Sequence, residues 1–532
     1  MKRKIFILSL TMFTIVGTWA YDFKSGDLCY NIISENEVEV TYEQNATAGN
    51  AAYISLVGTV NIPQTVSYNN ITYNVTEIGE EAFNYCSEIT SLNIPPTVTS
   101  IAENAFYGCS MLSNIILSEN ITSIAYGAFW GCTTLTNIII PNTIETIGSH
   151  AFYGCSSLVS VNIGNSLKEI GNFAFTNCTA LTTINFPESL ISIGDKAFQN
   201  CTALETVDLQ NTSASIGTYA FSECEILSSV TLPNNLRIIS EGTFNRCPSI
   251  TSITLPDSLK EIHYGAFQYC TGLTSITLPD AVESISSYAF SDCSSLVSVN
   301  LGNGIQLIEN RVFAYCNQLF SISIPASVTQ IGDRVFEGCS MLSSVTLPDE
   351  LTKIGKFTFA ECTSLTSIDL PDNMTNISES LFENCTGLNT IVFPDSIKNI
   401  GYDAFYGCTS LTSITAHPTN PPTIKSGTFG YVDKTIPLYV PEASIELYRT
   451  APYWEEFSNF RALSESTNIT QTTSEQHIYQ MKDKLCNPNA LTITIYDIQG
   501  RMVYSGNDTE ISLPMRGVYI LETVTGTQKI MF

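Results

Sequence analysis

Thiols are the side chains in this sequence with the most chemical potential, and their spacing decides what they can do. Fifteen of the seventeen cysteines stand on one ladder, each 23 residues after the last: Cys86, Cys109, Cys132, Cys155, Cys178, Cys201, Cys224, Cys247, Cys270, Cys293, Cys316, Cys339, Cys362, Cys385 and Cys408. Cysteines could form disulfides, bind a metal or act as nucleophiles. Equivalent residues of stacked units point the same way, with Cβ atoms about 4.8 Å apart, the spacing of neighbouring strands. A disulfide needs roughly 3.5–4.5 Å. An odd number cannot pair completely, and parallel thiols in an apolar core neither ionise readily nor surround an ion tetrahedrally. The ladder therefore reads as small buried packing groups. Cys29 and Cys486 lie off it and take no role.

Other reactive groups are sparse. The four histidines, His150, His263, His417 and His477, show no metal-binding spacing. His150 and His263 fall at variable positions of their units and are expected to be solvated. No Gly-rich phosphate loop follows a strand and there is no nucleophile elbow, so no catalytic residue, metal ligand or cofactor is expected. Candidates for recognition come from two columns. Tyr107, Trp130 and Tyr153 each stand two residues before a cysteine and could form a ring column that stacks on sugars or anchors a protein. A packing preference of the repeat, seen again at Tyr406-Gly407-Cys408, is the competing explanation. Five and seven residues after each cysteine the side chains are short, polar and mostly uncharged, as at Asn137, Ser160 and Asn162. They suit either ladder packing or a shallow hydrogen-bonding surface. Ile116, Ile139 and Val392 interrupt this face with apolar groups. The first two would form an exposed step, unless they are a neutral pair or are shielded by the N-terminal cap.

The elements that position these residues follow from what recurs with the cysteine. Phenylalanine stands three before every one of the fifteen and isoleucine eight before, without exception. Apolar residues recur at plus three, six and eight, and ten units place proline at plus nine. Alternation at plus six and eight, ended by proline, predicts one short strand per unit. The Ala-Phe-x-x-Cys stretch predicts a single helical turn with its apolar side toward the strand. Such units bury little alone and must stack. The fold class expected is an α/β-type repeat solenoid, parallel strands on its concave face with short helical turns, about 70 Å long at the strand spacing. A small C-terminal all-β sandwich is added to it.

Motifs such as "LPDSLKEIHYGAFQYCTGLTSI" and "IPASVTQIGDRVFEGCSMLSSV" resemble the 23-residue treponemal type of leucine-rich repeat found in BspA-like surface proteins, over roughly residues 57 to 415. The resemblance implies host-matrix or inter-bacterial attachment. The tail is similar to the C-terminal sorting domain of type IX secretion substrates. The match rests on Tyr496-Asp497-Ile498-Gln499-Gly500-Arg501, Gly517-Val518-Tyr519 and Lys529, and it implies that Asp497, Gly500, Gly517, Tyr519 and Lys529 serve as an address for the secretion machinery.

Expected domains are a signal peptide at 1–20, an N-terminal β cap at 21–77, a solenoid of about fifteen units at 78–415, a C-terminal cap at 416–461, a linker at 462–487 and the sorting domain at 488–532. Basic Lys2, Arg3 and Lys4 before an apolar run ending near Ala20 read as an export signal too short to span a membrane. No later stretch is long and apolar enough for a transmembrane segment. Net charge is −27, or −30 without the signal's three basic residues, which repels nucleic acid and anionic lipid. The expectation is a non-enzymatic adhesion or interaction protein, secreted or displayed on the outer face of a Gram-negative outer membrane, that binds an extracellular protein or glycan ligand. Glycan capture is the alternative, and an enzyme with its chemistry in the caps is a more remote one.

Overall fold

The computed structural model describes residues 21–44, 51–53 and 55–466, together with strand segments between 479 and 531. The repeat builds a parallel solenoid, as expected, but with little helix. Most turns, however, carry strand pairing at two places. The first ladder runs through the residues after the cysteine, from Gly58–Asn61 to Ile89–Asn93 and on through strands such as Asn137–Ile140, Ser160–Ile163, Ser275–Thr277 and Thr390–Phe393. A second ladder of two-residue strands ends at the isoleucine column, as in Ser123–Ile124, Thr146–Ile147 and Glu169–Ile170, each paired in register with the next. One strand per unit was too few. Isoleucine is stiff at χ1 and fits a pleated surface, and the following position comes so close to the previous turn that glycine is often required. A Cβ on Gly171 would lie 2.5 Å from the Ser149 backbone nitrogen.

The expected helical turn is replaced by tight turns of another kind. In all fifteen units the residues five and one before the cysteine have left-handed backbone. Glycine fills eight of these positions, and L-residues such as Glu81, Phe173, Arg334 and Glu361 fill the others at φ +51° to +62°. That conformation swings alternate amides out of the chain's own turn and toward the next unit. Phe173, Phe175 and Asn177 donate to the carbonyls of Asp195, Ala197 and Gln199 at 2.7–2.9 Å. An α-helix needs those same amides for bonds four residues back, so it cannot form.

The core is a set of vertical columns. Sixteen phenylalanines from Phe83 to Phe429 stack with centroids 5.1–5.9 Å apart and interplanar angles of 3–20°. Tyr53 closes the column at the N-terminal end, 5.7 Å from Phe83, and Trp454 at the other, 5.5 Å from Phe429. Both end rings are held by the backbone: the Tyr53 hydroxyl accepts from the Cys29 amide at 2.9 Å, and Trp454 Nε1 donates to the Pro422 carbonyl at 2.8 Å. Phe23–Ser25, Leu28–Ile32 and Glu37–Thr41 join antiparallel, and Glu37–Thr41 pairs parallel with Ile71–Ile78, which starts the second ladder. At the far end Pro437–Val440 and Asn459–Ala462 extend the first ladder, separated by the short helix Ile445–Thr450.

Toward the C-terminus, Ile493–Asp497 lies between Met502–Gly506 and Val518–Thr523 in an antiparallel sheet that Gly526–Met531 completes. Tyr479–Met481 and Lys484–Cys486, within the stretch 462–487, pair with each other, and the latter pairs with Glu510–Ile511. Residues 1–20 lie outside the described residues. Among those described, no helix is long and apolar enough to cross a membrane.

Candidate functional site

The thiols are placed for structure rather than chemistry. The sixteen cysteines whose side chains are described are all buried and free. From Cys109 onward each ladder thiol donates to the carbonyl of the phenylalanine in the preceding unit, at 3.0–3.4 Å. Cys86 has no such phenylalanine below it and reaches toward the Tyr53 carbonyl instead, at 3.9 Å. Burial pushes the thiols up, Cys86 to about 11 and Cys155, Cys201 and Cys408 to about 12. A thiol held protonated is neither nucleophile nor metal ligand. Among the described residues no group of three His, Cys, Asp or Glu could hold a metal ion.

The surface with most recognition chemistry is aromatic. Tyr107, Trp130 and Tyr153 form one column: Tyr107 is 5.2 Å from Trp130, and Trp130 is 4.9 Å from Tyr153. Tyr85 extends it at one end, 5.1 Å from Tyr107. A hydrogen bond with Tyr85 and partial burial raise the Tyr107 phenol above its usual range. A second row lies beside this column and was missed from the sequence. His150 stacks between Trp130 at 4.8 Å and Phe173 at 4.7 Å, and Tyr126 packs on both Trp130 and His150. Lys196 continues the row over Phe173 and Tyr219. His150 is thus a half-buried member of a ring stack rather than a solvated surface group. Its Nδ1 is buried without a partner, and burial lowers its pKa. The signal was available: His150, Phe173, Lys196 and Tyr219 all stand five before their cysteines. Yet the residue type at that position changes from unit to unit, from Glu81 and Asn104 to Gly127, His150 and Lys196, so no aromatic column is legible there.

The polar candidates lie elsewhere. Asn137, Ser160 and Asn162 are on the first ladder, and no ring contact or hydrogen bond among the described residues joins them to the aromatic strip. Ser160 Oγ donates to Asn137 Oδ1 at 2.7 Å, so these groups satisfy each other along the ladder. Ile116 and Ile139 are exposed at 68% and 63%. Ladder pairing lapses between their two strands, so they are neighbours without being register partners. His263 bonds Glu261 at 2.8 Å on the surface. In the tail, Asp497 and Tyr519 are register partners, Lys529 pairs with Ile520, and Gly500 and Gly517 lie outside the described residues.

Known proteins agree with this architecture. A leucine-rich repeat protein from Bacteroides ovatus ATCC 8483 is 28% identical, with a TM-score of 0.58 over 76% of this chain and 99% of its own. A leucine rich cell surface protein from Faecalibacterium prausnitzii A2-165 is 26% identical over 74% of this chain and 94% of its own, with a TM-score of 0.38. No protein of curated function matches. The family model described as the BspA type leucine rich repeat region matches residues 63–178, 145–274, 260–388 and 330–453. Together these matches run from residue 63 to residue 453, well over half of the sequence, and the chain belongs to the BspA-type leucine-rich repeat family.

Proposed function

We propose that this protein is a non-enzymatic adhesion scaffold that binds an extracellular protein partner through the aromatic strip centred on Trp130. The observation that carries the reading is the continuity of that strip. Tyr85, Tyr107, Trp130, Tyr153, His150 and Phe173 touch in sequence across successive turns, giving one large, rigid, amphipathic surface. Such rings cost little side-chain entropy on binding and are common hot spots. The export-type N-terminus, and a sorting role for the tail with Asp497, Gly500, Gly517, Tyr519 and Lys529 as the address, belong to the same proposal. So does display on the outer face of the cell, which accords with a neighbour described as a leucine rich cell surface protein.

Glycan capture is the second reading, because stacked rings with a half-exposed tyrosine, Tyr126 at 39%, also suit sugar faces. A binding screen of the full chain against matrix proteins and a glycan array separates the two. Protein hits weakened at least about tenfold by Trp130→Ala support the first reading. Hits confined to glycans replace it with the second, and protein hits unaffected by Trp130→Ala remove the strip from the function.

A further inference from the structure

The N-terminal end of the rod carries a second, unrelated feature, a cleft of about 620 Å³ between the first hairpin and the start of the two ladders. Its floor is apolar, made by buried Leu28, Leu56, Val60 and Val66, and Val57 at its rim is 64% exposed. Three strands border it, each pairing on one side only among the described residues. Phe23–Ser25 pairs with Leu28–Ile32, Gly58–Asn61 with Ile89–Asn93, and Thr65–Tyr68 with Ile71–Ile78. Open strand edges are normally blunted by charge, proline or a covering segment, yet Gly58–Asn61 carries neither charge nor proline. Tyr30 also lines the cleft. It is wholly buried, and its hydroxyl has no hydrogen-bond partner. Buried polar groups nearly always have one, so the cleft lacks both a main-chain neighbour and an acceptor or donor at its base.

We propose that the cleft receives an extended strand from another protein. The strand adds to the open edge of Gly58–Asn61 by main-chain hydrogen bonds and meets the Tyr30 hydroxyl with one of its polar groups, a β-augmentation mode of recognition. The chemistry of the strand follows from the lining. Alternate side chains are apolar, to cover the floor, and the others are small and polar, to suit Thr59, Asn61, Thr65 and Ser67. A lysine or arginine sits near Asp27, the single charged residue of the lining. A second copy of this chain is disfavoured, because each copy carries a net charge of −27.

Phage-displayed linear twelve-residue peptides panned on the full chain provide the probe. Enriched peptides should alternate apolar and polar residues and carry a basic one. A synthetic peptide of the winning sequence should lose at least about tenfold in affinity when alternate backbone nitrogens are methylated in one phase, and little in the other. Tyr30→Phe should weaken it about tenfold with the melting temperature unchanged or raised, whereas Trp130→Ala should leave it unaffected, which separates this cleft from the aromatic strip. Failure of any peptide to enrich overturns the proposal. So does binding insensitive to both N-methylation and Tyr30→Phe, or binding abolished by Trp130→Ala. A concentration-dependent dimer dissolved by Val57→Asp would assign the cleft to self-association and overturn it as well.

Discussion

At the scale of single residues, the cysteine is more than a small hydrophobe. Most phenylalanine carbonyls of the column accept the amide of their own unit's cysteine, as Phe267 does from Cys270 at 3.1 Å, and those from Phe83 to Phe382 also take the thiol of the next unit, as Phe244 does from Cys270 Sγ at 3.1 Å, so the thiol fastens one turn to the one before. Packing and hydrogen bonding predict different mutational series. Cys270→Ala loses both and should cost about 2 kcal/mol. Cys270→Ser keeps a donor for the Phe244 carbonyl and should be about 1 kcal/mol less damaging than alanine. If packing were all that mattered, the buried hydroxyl would make serine equal or worse. Urea denaturation midpoints of the two variants decide the point. Titration gives a second test. The ordinary thiol value is 9.0, and burial pushes Cys201 up to about 12. The folded chain thus holds a proton that the unfolded chain releases. This contribution is complete below pH 9 and is lost as pH rises from 9 toward 12, by about 1.4 kcal/mol per pH unit for each thiol so placed. Midpoints measured between pH 7 and 11 should fall steeply above 9, and Cys201→Ala should reduce the slope by one proton. A flat profile would contradict the burial of the ladder.

At the scale of elements, the left-handed turns define the repeat as much as its strands do. Glu361 is exposed, holds φ at +61° and donates its amide to the Glu383 carbonyl at 2.8 Å. An L-residue there is strained by about 1 kcal/mol relative to glycine. Glu361→Gly should therefore stabilise the protein by roughly that amount, whereas glycine at an exposed strand position such as Ser344 should destabilise it. Thermal midpoints of the two variants should move in opposite directions. The same turns explain what could be read from the sequence and what could not. Phe83, Cys86, Leu92 and their equivalents were legible because an apolar column repeats its residue type. The residues five and one before the cysteine vary freely, as Glu81, His150, Lys196 and Arg334 show, because what they share is a backbone angle rather than a side-chain character. The unread angle makes the stretch look helical, and the varied residue types conceal His150 and Phe173 as members of the recognition surface. The second ladder was hidden for a related reason: only its isoleucine recurs, and two residues are too few to alternate.

At the scale of the whole molecule, the rod is not uniform. Both ladders lapse together in two regions, and the first lapses alone between Asn114–Ile116 and Asn137–Ile140. First-ladder pairing is missing at Thr251–Leu255 and at Thr366–Leu370, and second-ladder pairing stops between Ile216 and Ile239 and between Ile354 and Ile377. In glycine units the amide after the isoleucine reaches the preceding isoleucine carbonyl, as Gly217 does to Ile193 at 2.8 Å. At the two lapses Ser240 Oγ and Ser378 Oγ donate to the Ile216 and Ile354 carbonyls instead. The hydroxyl holds the turns together but lets the backbones stand off, so the ladder pauses while the phenylalanine column continues through at 5.9 Å between Phe221 and Phe244. In a solenoid, stability is a sum of units and neighbouring interfaces, and a weaker interface is where opening begins. Amides at Thr251–Leu255 and Thr366–Leu370 should exchange with solvent at least about tenfold faster than those of Ser229–Thr231 or Ser321–Ser323. Ser240→Gly and Ser378→Gly should restore the missing amide bonds and slow exchange at those two places alone. Protection that declines smoothly from the ends, with no minimum at either place, would mean that the spine and not the ladders sets the cooperativity of the rod.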